Sequence, residues 1–217
     1  MNNGLSAVLT VPILFFSVIV HECAHGYVAL RNGDPTAKDS GRLTLNPLPH
    51  IDPFGTILLP LTLVILQARI LFGWAKPVPV NPLNFKDMRS GLLQVAVSGP
   101  LSNIALSFVC ALALKALLLS GGLAATNALV IMFSFGIQIN AVLAVFNLLP
   151  IPPLDGSMIL VGLLPGRIAD QFRRLQVLGF LGIVLIIATP LGYYLIWLPA
   201  GFIIGIFSRI AGIPFVF

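Results

Sequence analysis

Apolar positions along this chain fall into long unbroken blocks, with neither the alternation of half-buried strands nor the single stripe of a surface helix. Leu5–Leu30, Leu92–Leu119, Leu123–Leu149, Leu175–Thr189 and Gly192–Ile210 are such blocks, with Gly121-Gly122 and Pro190 as breaks between neighbours. A helix crossing the hydrocarbon layer needs about 20 mostly apolar residues. A further block, Phe54–Phe72, contains Pro60, Gln67 and Arg69 and admits two readings. If it crosses, Lys76, Lys86 and Arg89 lie opposite Arg31, Lys38 and Arg42. If it dips and returns, ten of the twelve basic residues share one side, all but Arg69 and Lys115. Basic residues concentrate in cytoplasmic loops, which favours the dip and makes that side cytoplasmic. The expected fold is an all-α polytopic membrane protein of about five transmembrane helices plus a re-entrant or sixth membrane segment. Residues 1–217 read as one membrane-embedded domain.

Two polar connections modify this picture. Gly41-Arg-Leu-Thr-Leu-Asn46 has the make-up of a short strand, and Lys76-Pro-Val-Pro-Val80 reads as an extended edge segment, because proline does not suit a sheet interior. Short β-like loops are therefore expected on the cytoplasmic side.

Composition agrees with the blocks. The chain is 58% hydrophobic and 9% charged, against about 45–50% apolar and about 25% charged in soluble domains. So few charges cannot make a wetted surface, and lipid must cover much of the molecule. The net charge of +5 raises the question of nucleic acid. The basic residues stand singly between apolar runs, as in membrane loops, so no nucleic-acid partner is expected. Cys23 and Cys110 lie inside apolar runs without a C-x-x-C partner, which argues against a disulfide framework. Met1-Asn2-Asn3-Gly4 lacks the positive start of a cleaved signal peptide, so the first run is expected to be retained.

Candidate chemistry sits in that first run. His21-Glu22-Cys23-Ala24-His25 places two imidazoles four residues apart on one helix face, where both can reach one zinc at about 2.0–2.1 Å. Glu22, off the ligand line, can take the proton of a water attacking a carbonyl. It is the sole glutamate in the chain, and two of the three histidines flank it. An ionisable group within a span costs about 2.5–3.5 kcal/mol on insertion scales, so its presence points to function. The competing reading is a polar clasp between helices. Cys23 faces away from His21 and reads as packing.

Catalytic zinc usually has three protein ligands. The best third is Asp155, in Asn147-Leu-Leu-Pro-Ile-Pro-Pro-Leu-Asp-Gly156. Pro150, Pro152 and Pro153 stop the preceding helix, leaving a rigid segment that presents an acid beside a glycine. Alone, Asp155 could equally be a turn or capping acid. Asn147 could donate to the oxyanion of a tetrahedral intermediate or orient substrate. Asn140, seven residues earlier on nearly the same face, is a weaker candidate for that role and a better one for structural hydrogen bonding. His50 and Asp52 could gate the site or offer a ligand, or be interfacial loop residues.

His21–His25, Ser98-Gly-Pro-Leu-Ser-Asn103 and Asn147–Gly156, in this order, resemble the site-2 protease family of intramembrane zinc metalloproteases, in its small prokaryotic type without a PDZ domain. The resemblance implies one zinc per chain held by His21, His25 and Asp155. It also implies Glu22 as base and Asn147 assisting substrate or oxyanion, with Asn103 structural. The implied activity is hydrolysis of peptide bonds in single-span membrane proteins, within or near the bilayer, as in regulated intramembrane proteolysis. The implied location is the cell membrane, with the site toward the cytoplasm and a β-like element (Gly41–Asn46 or Trp74–Val80) pairing with unwound substrate. A divalent-metal transporter and a non-catalytic membrane chaperone are the alternatives; no internal repeat supports the first, and the intact Glu22 opposes the second.

Overall fold

The computed structural model describes residues 3–66, 73–120, 127–165 and 176–213. Among these the α-helices are α1 Asn3–Arg31, α2 Thr36–Asp39, α3 Leu59–Ile65, α4 Met88–Leu119, α5 Ala128–Asn147, α6 Asp155–Leu163, α7 Gln176–Ala188 and α8 Leu198–Ala211. Wider π-type turns, Pro53–Leu58 and Tyr193–Trp197, lead into α3 and α8. Leu9–Arg31, Met88–Leu119, Ala128–Asn147 and Tyr193–Ala211 are long and apolar enough to cross a bilayer. The all-helical membrane fold expected from the apolar blocks is thus the one found. The span count is smaller among the described residues: Leu175–Thr189 is helical over the 13 residues of α7. At 1.5 Å per residue that is about 20 Å, short of the roughly 30 Å hydrocarbon layer. Gly121-Gly122, Arg167, Arg173 and Arg174 lie outside the described residues.

α4 is the central rod, packed against α1, α5, α6 and α8. Its Cys110, Ala111 and Leu114 meet Ile137 and Ala141 of α5 and Ala200 and Ile204 of α8. Small side chains at these crossings let backbones approach closely, the usual basis of helix association in lipid. Leu101, Val109 and Phe202 point outward and are exposed, as lipid-facing residues should be. α4 starts four residues before its apolar run because Asp87 caps it, accepting from the Arg89 and Ser90 amides.

The Phe54–Phe72 block begins at Asp52, whose carboxylate accepts from the Phe54 and Gly55 amides. Trp74 then donates its amide to Gly55 O at 3.2 Å, and Thr56 Oγ1 donates to Trp74 O at 2.8 Å. The chain therefore comes back to the level it left. Such closure suits the dip, whereas crossing would separate the two ends by about 30 Å. Residues 67–72, with Gln67 and Arg69, lie outside the described residues.

No described residue forms a strand, which corrects the expectation of β-like loops. Gly41–Asn46 is a turn with bends. Trp74–Val80 is an irregular strap whose backbone groups already have partners off any ladder: Lys76 donates to His50 O, and Arg42 Nη2 donates to Lys76 O and Pro77 O. Beyond the strap, buried Asp34 accepts from the Asn81 amide at 2.7 Å, Asn84 Nδ2 at 2.8 Å, the Thr36 amide at 3.1 Å and the Thr36 hydroxyl. Burial pushes its pKa up, but these donors outweigh burial and hold it below the ordinary carboxylate value. Lys86 donates to Asn32 O, so the loops around residues 32–42 and 76–87 are fastened together at one end of the bundle.

Candidate metal centre

His21 and His25 lie one turn apart on the α1 face that meets α4, and both are buried. α4 presents Gly99 there, and a Cβ on Gly99 would stand 2.5 Å from His21 Cε1, His25 Cε1 and His25 Nε2. The glycine makes room for both rings. Their Nε2 atoms are 3.0 Å apart, and Asp155 Oδ2 and Oδ1 lie 3.2 Å and 3.3 Å from them respectively.

The hydrogen bonds behind the rings place a hydrogen on each Nδ1. His25 Nδ1 is 2.8 Å from Val95 O, and a carbonyl only accepts, so Nδ1 carries the hydrogen. For His21 the proton is fixed through a buried polar chain. Ser17 donates to Ile13 O, and Asn140 Nδ2 donates to Gly136 O and to Ser17 Oγ. Asn140 Oδ1 then accepts from Asn103 Nδ2, which also donates to Ser17 O. This leaves Asn103 Oδ1 facing His21 Nδ1 at 2.7 Å, so that nitrogen donates too. In the neutral imidazoles, the form that binds a metal, Nε2 is then the lone-pair nitrogen of each ring. With the Asp155 carboxylate these nitrogens make three potential ligands facing one point.

Asp155 arrives from the opposite end of the sequence. After α5 the chain turns tightly, with Ile151 donating to Leu149 O and Leu154 to Ile151 O. Leu149 and Leu154 are buried against Ile183 and Ile186 of α7, which holds the turn in place. A Cβ on Gly156 would strike the carbonyls of Leu148 and Leu149, so the Asp-Gly order lets α6 start directly against the turn. At the far end of α6, Arg89 donates to Gly162 O and Leu163 O.

These donors suit a divalent cation. Asp155 Oδ2 is buried without a hydrogen-bond partner. Ligand atoms of His21, His25 and Asp155 all lie within 4.8 Å of one another, the one such His/Cys/Asp/Glu group among the described residues. Tetrahedral zinc with bonds of about 2.0–2.1 Å separates its ligands by roughly 3.3 Å, close to the spacings here.

The remaining candidates separate into distinct surroundings. Glu22 is half-buried beside the centre, and its Oε2 accepts the Val78 amide at 2.7 Å. Asn147 ends α5 and donates back to Leu143 O. Asn140 lies in the polar chain behind His21, fully buried. His50 is buried and bonds Thr44 O; Asp52 caps the turn after it, and neither belongs to the metal group. Cys23 donates to the same Thr44 O. Asn103, read from sequence as structural, directly orients His21, and Val95 O orients His25. The signal for Asn103 was an amide inside an apolar helix, which must find a partner. A backbone carbonyl such as Val95 O leaves no sequence signal.

The model of peptidase family M50 matches residues 115–189. The chain is 44% identical over 188 residues, 85% of this chain and 82% of the relative, to the candidate zinc metalloprotease YwhC of Bacillus subtilis. It is 28% identical over 183 residues to the candidate zinc metalloprotease Rip2 of Mycolicibacterium smegmatis, covering 84% of this chain and 68% of that one. Over 67 residues it is 43% identical to the candidate zinc metalloprotease MJ0611 of Methanocaldococcus jannaschii, covering 31% of this chain and 32% of the relative. No solved structure matches the chain. With four spanning helices around three converging donors, and with relatives of this similarity, the chain belongs to peptidase family M50 and is a multi-pass membrane zinc metalloprotease.

Proposed function

We propose that His21, His25 and Asp155 hold the zinc, and that Glu22 is the general base in cleaving single-span membrane proteins within or near the bilayer. The observation that carries this reading is the convergence of two imidazole Nε2 atoms and a carboxylate from α1 and α6. Zinc bound there supplies Lewis acidity, which activates water and polarises the scissile carbonyl. Glu22 takes the proton of the attacking water and hands it to the departing amine. Asn103 and Val95 O keep both rings turned so that Nε2 faces inward.

Substrate chemistry follows from the surroundings. An apolar groove of about 370 Å³ flanks the ligand helix, lined by Val20, Cys23, Tyr27, Leu43 and Leu45. A hydrophobic stretch from a membrane anchor fits such walls. Its helix must unwind there, because helical amides are already hydrogen-bonded and shield the bond to be cut. Asn147 is the proposed aid to substrate or oxyanion. The loops bearing Arg31, Lys38, Arg42, Lys76, Lys86 and Arg89 are tied together, through Asp34, Asn32 and Arg42, at the end of the bundle where α1 finishes and α4 begins. Positive charge gathered at one end supports a cytoplasmic position for it, in the cell membrane. Release of a cytoplasmic fragment is the expected outcome, the pattern of regulated intramembrane proteolysis.

The test uses purified full-length protein, elemental analysis and a single-span reporter. Glu22→Gln should keep zinc and lose cleavage, while Asp155→Ala should lose both. Undiminished cleavage by Glu22→Gln rejects the mechanism.

A further inference from the structure

The proposed general base is held by a segment distant from it along the chain. Glu22 Oε2 accepts the Val78 amide at 2.7 Å, 56 residues along the chain. Pro77 and Pro79 have no N–H, so Val78 offers the one backbone donor in Pro77-Val78-Pro79. Both neighbouring carbonyls on the N-terminal side, Lys76 O and Pro77 O, are gripped by Arg42 Nη2 at 2.6 Å and 3.1 Å. Arg42 is itself 7% exposed, which makes it a fixed post. Further along, Asn81 is tied to Asp34. Helix α1 gives way to the strap at Gly26, one turn beyond Glu22. A Cβ on Gly26 would stand 2.5 Å from Leu43 Cδ2 and 2.8 Å from Val78 Cγ1.

We infer that the Lys76–Val80 strap is a positioning element for the general base, and that the Val78 amide orients the Glu22 carboxylate toward the reacting water. The inference deepens the reading of Glu22 given above and rests on it. A glutamate side chain turns freely about its terminal bonds, and a base must meet its proton within hydrogen-bond reach. An N–H fixed on Oε2 leaves Oε1 as the oxygen that receives the proton. The donor acts through Glu22 and touches no substrate. A backbone donor flanked by prolines suits such a role, because its direction is set by a chain that cannot coil into helix and it has no side-chain rotamer to stray.

The experiment replaces the Pro77–Val78 amide by an ester, installing the α-hydroxy acid of valine at position 78 in the full-length chain in lipid nanodiscs. The N–H becomes an oxygen while side chain and backbone shape are kept. Zinc content and the kinetics of reporter cleavage are measured together. We expect kcat to fall about 10- to 100-fold, with KM within about twofold and zinc stoichiometry unchanged. A kcat that is unaltered or higher in the ester overturns the inference, as does a loss of zinc or a fall confined to KM, which would mark a role in folding or substrate binding. The underlying reading is tested separately by Glu22→Gln. If that variant is inactive while the ester is fully active, only the strap's role is lost.

Discussion

The interior of the bundle and the loops at its end handle polar groups in opposite ways. Inside, between α1, α4 and α5, polarity is neutral and chained: Ser17, Asn103 and Asn140 pass hydrogen bonds from backbone carbonyls to His21. At the loop end it is ionic and radial, with Asp34 and Arg42 each gripping two backbone groups. Neutral amides are cheaper to bury than charges, so they can serve as wiring where no water reaches. Charged groups make stronger hydrogen bonds and can stand in for a missing strand ladder where water helps to solvate them. The first arrangement orients a ligand; the second shapes a loop.

The contrast implies a hierarchy of mutational effects. Asp155→Ala strikes the centre itself and should lose most of the bound zinc and lower cleavage about a thousandfold or more, measured by elemental analysis and reporter turnover. Asn103→Leu should keep the fold yet reduce metal affinity or kcat by about 10- to 100-fold, since it removes the acceptor on His21 Nδ1. Zinc titration of chelator-treated protein would read this; wild-type affinity and turnover in Asn103→Leu would erase the distinction between the two regions. Asp34→Asn should chiefly affect stability. Because the folded-state pKa of Asp34 lies below 3.8, its contribution is present above about pH 3.8 and fades as pH falls through the folded value. The unfolding midpoints of wild type and Asp34→Asn should therefore converge on acidification below pH 4, and a constant gap would show that the charge is not what grips the loop. Smallest of all, Arg89→Ala removes the cap on α6 and should cost about 1 kcal/mol at most, with little change in turnover.

Legibility followed the same division. The ligands His21 and His25 stand out because a four-residue spacing puts them on one face, and Asp155 because prolines before it and glycine after it leave few conformations. The spans show through length alone, although α4 begins at Met88 instead of Leu92 because a capping aspartate is invisible to hydropathy. What escapes is long-range pairing. Nothing local marks Asn103 as the partner of His21, 82 residues away. The strap reads as β-like in sequence because proline-rich extended chain and edge strand share a composition, and only the acceptors of its amides tell them apart. Asn140 resembles a site residue through its spacing from Asn147, but the two lie about 10 Å apart along α5, where Asn140 bonds Asn103 and Ser17 while Asn147 donates to Leu143 O.

The length of α4 bears on how hydrolysis is supplied. Its 32 residues extend about 48 Å, some 18 Å more than the hydrocarbon layer is thick. Arg89, Ser90 and Gln94 mark the end that overhangs, and Gly99 lies about 17 Å from that end. Where the whole overhang lies at that end, the histidines would sit near the depth at which headgroups give way to acyl chains. Each peptide bond broken consumes one water molecule, and at this depth hydration is close at hand, while the apolar walls beyond it keep the rest of the bundle dry.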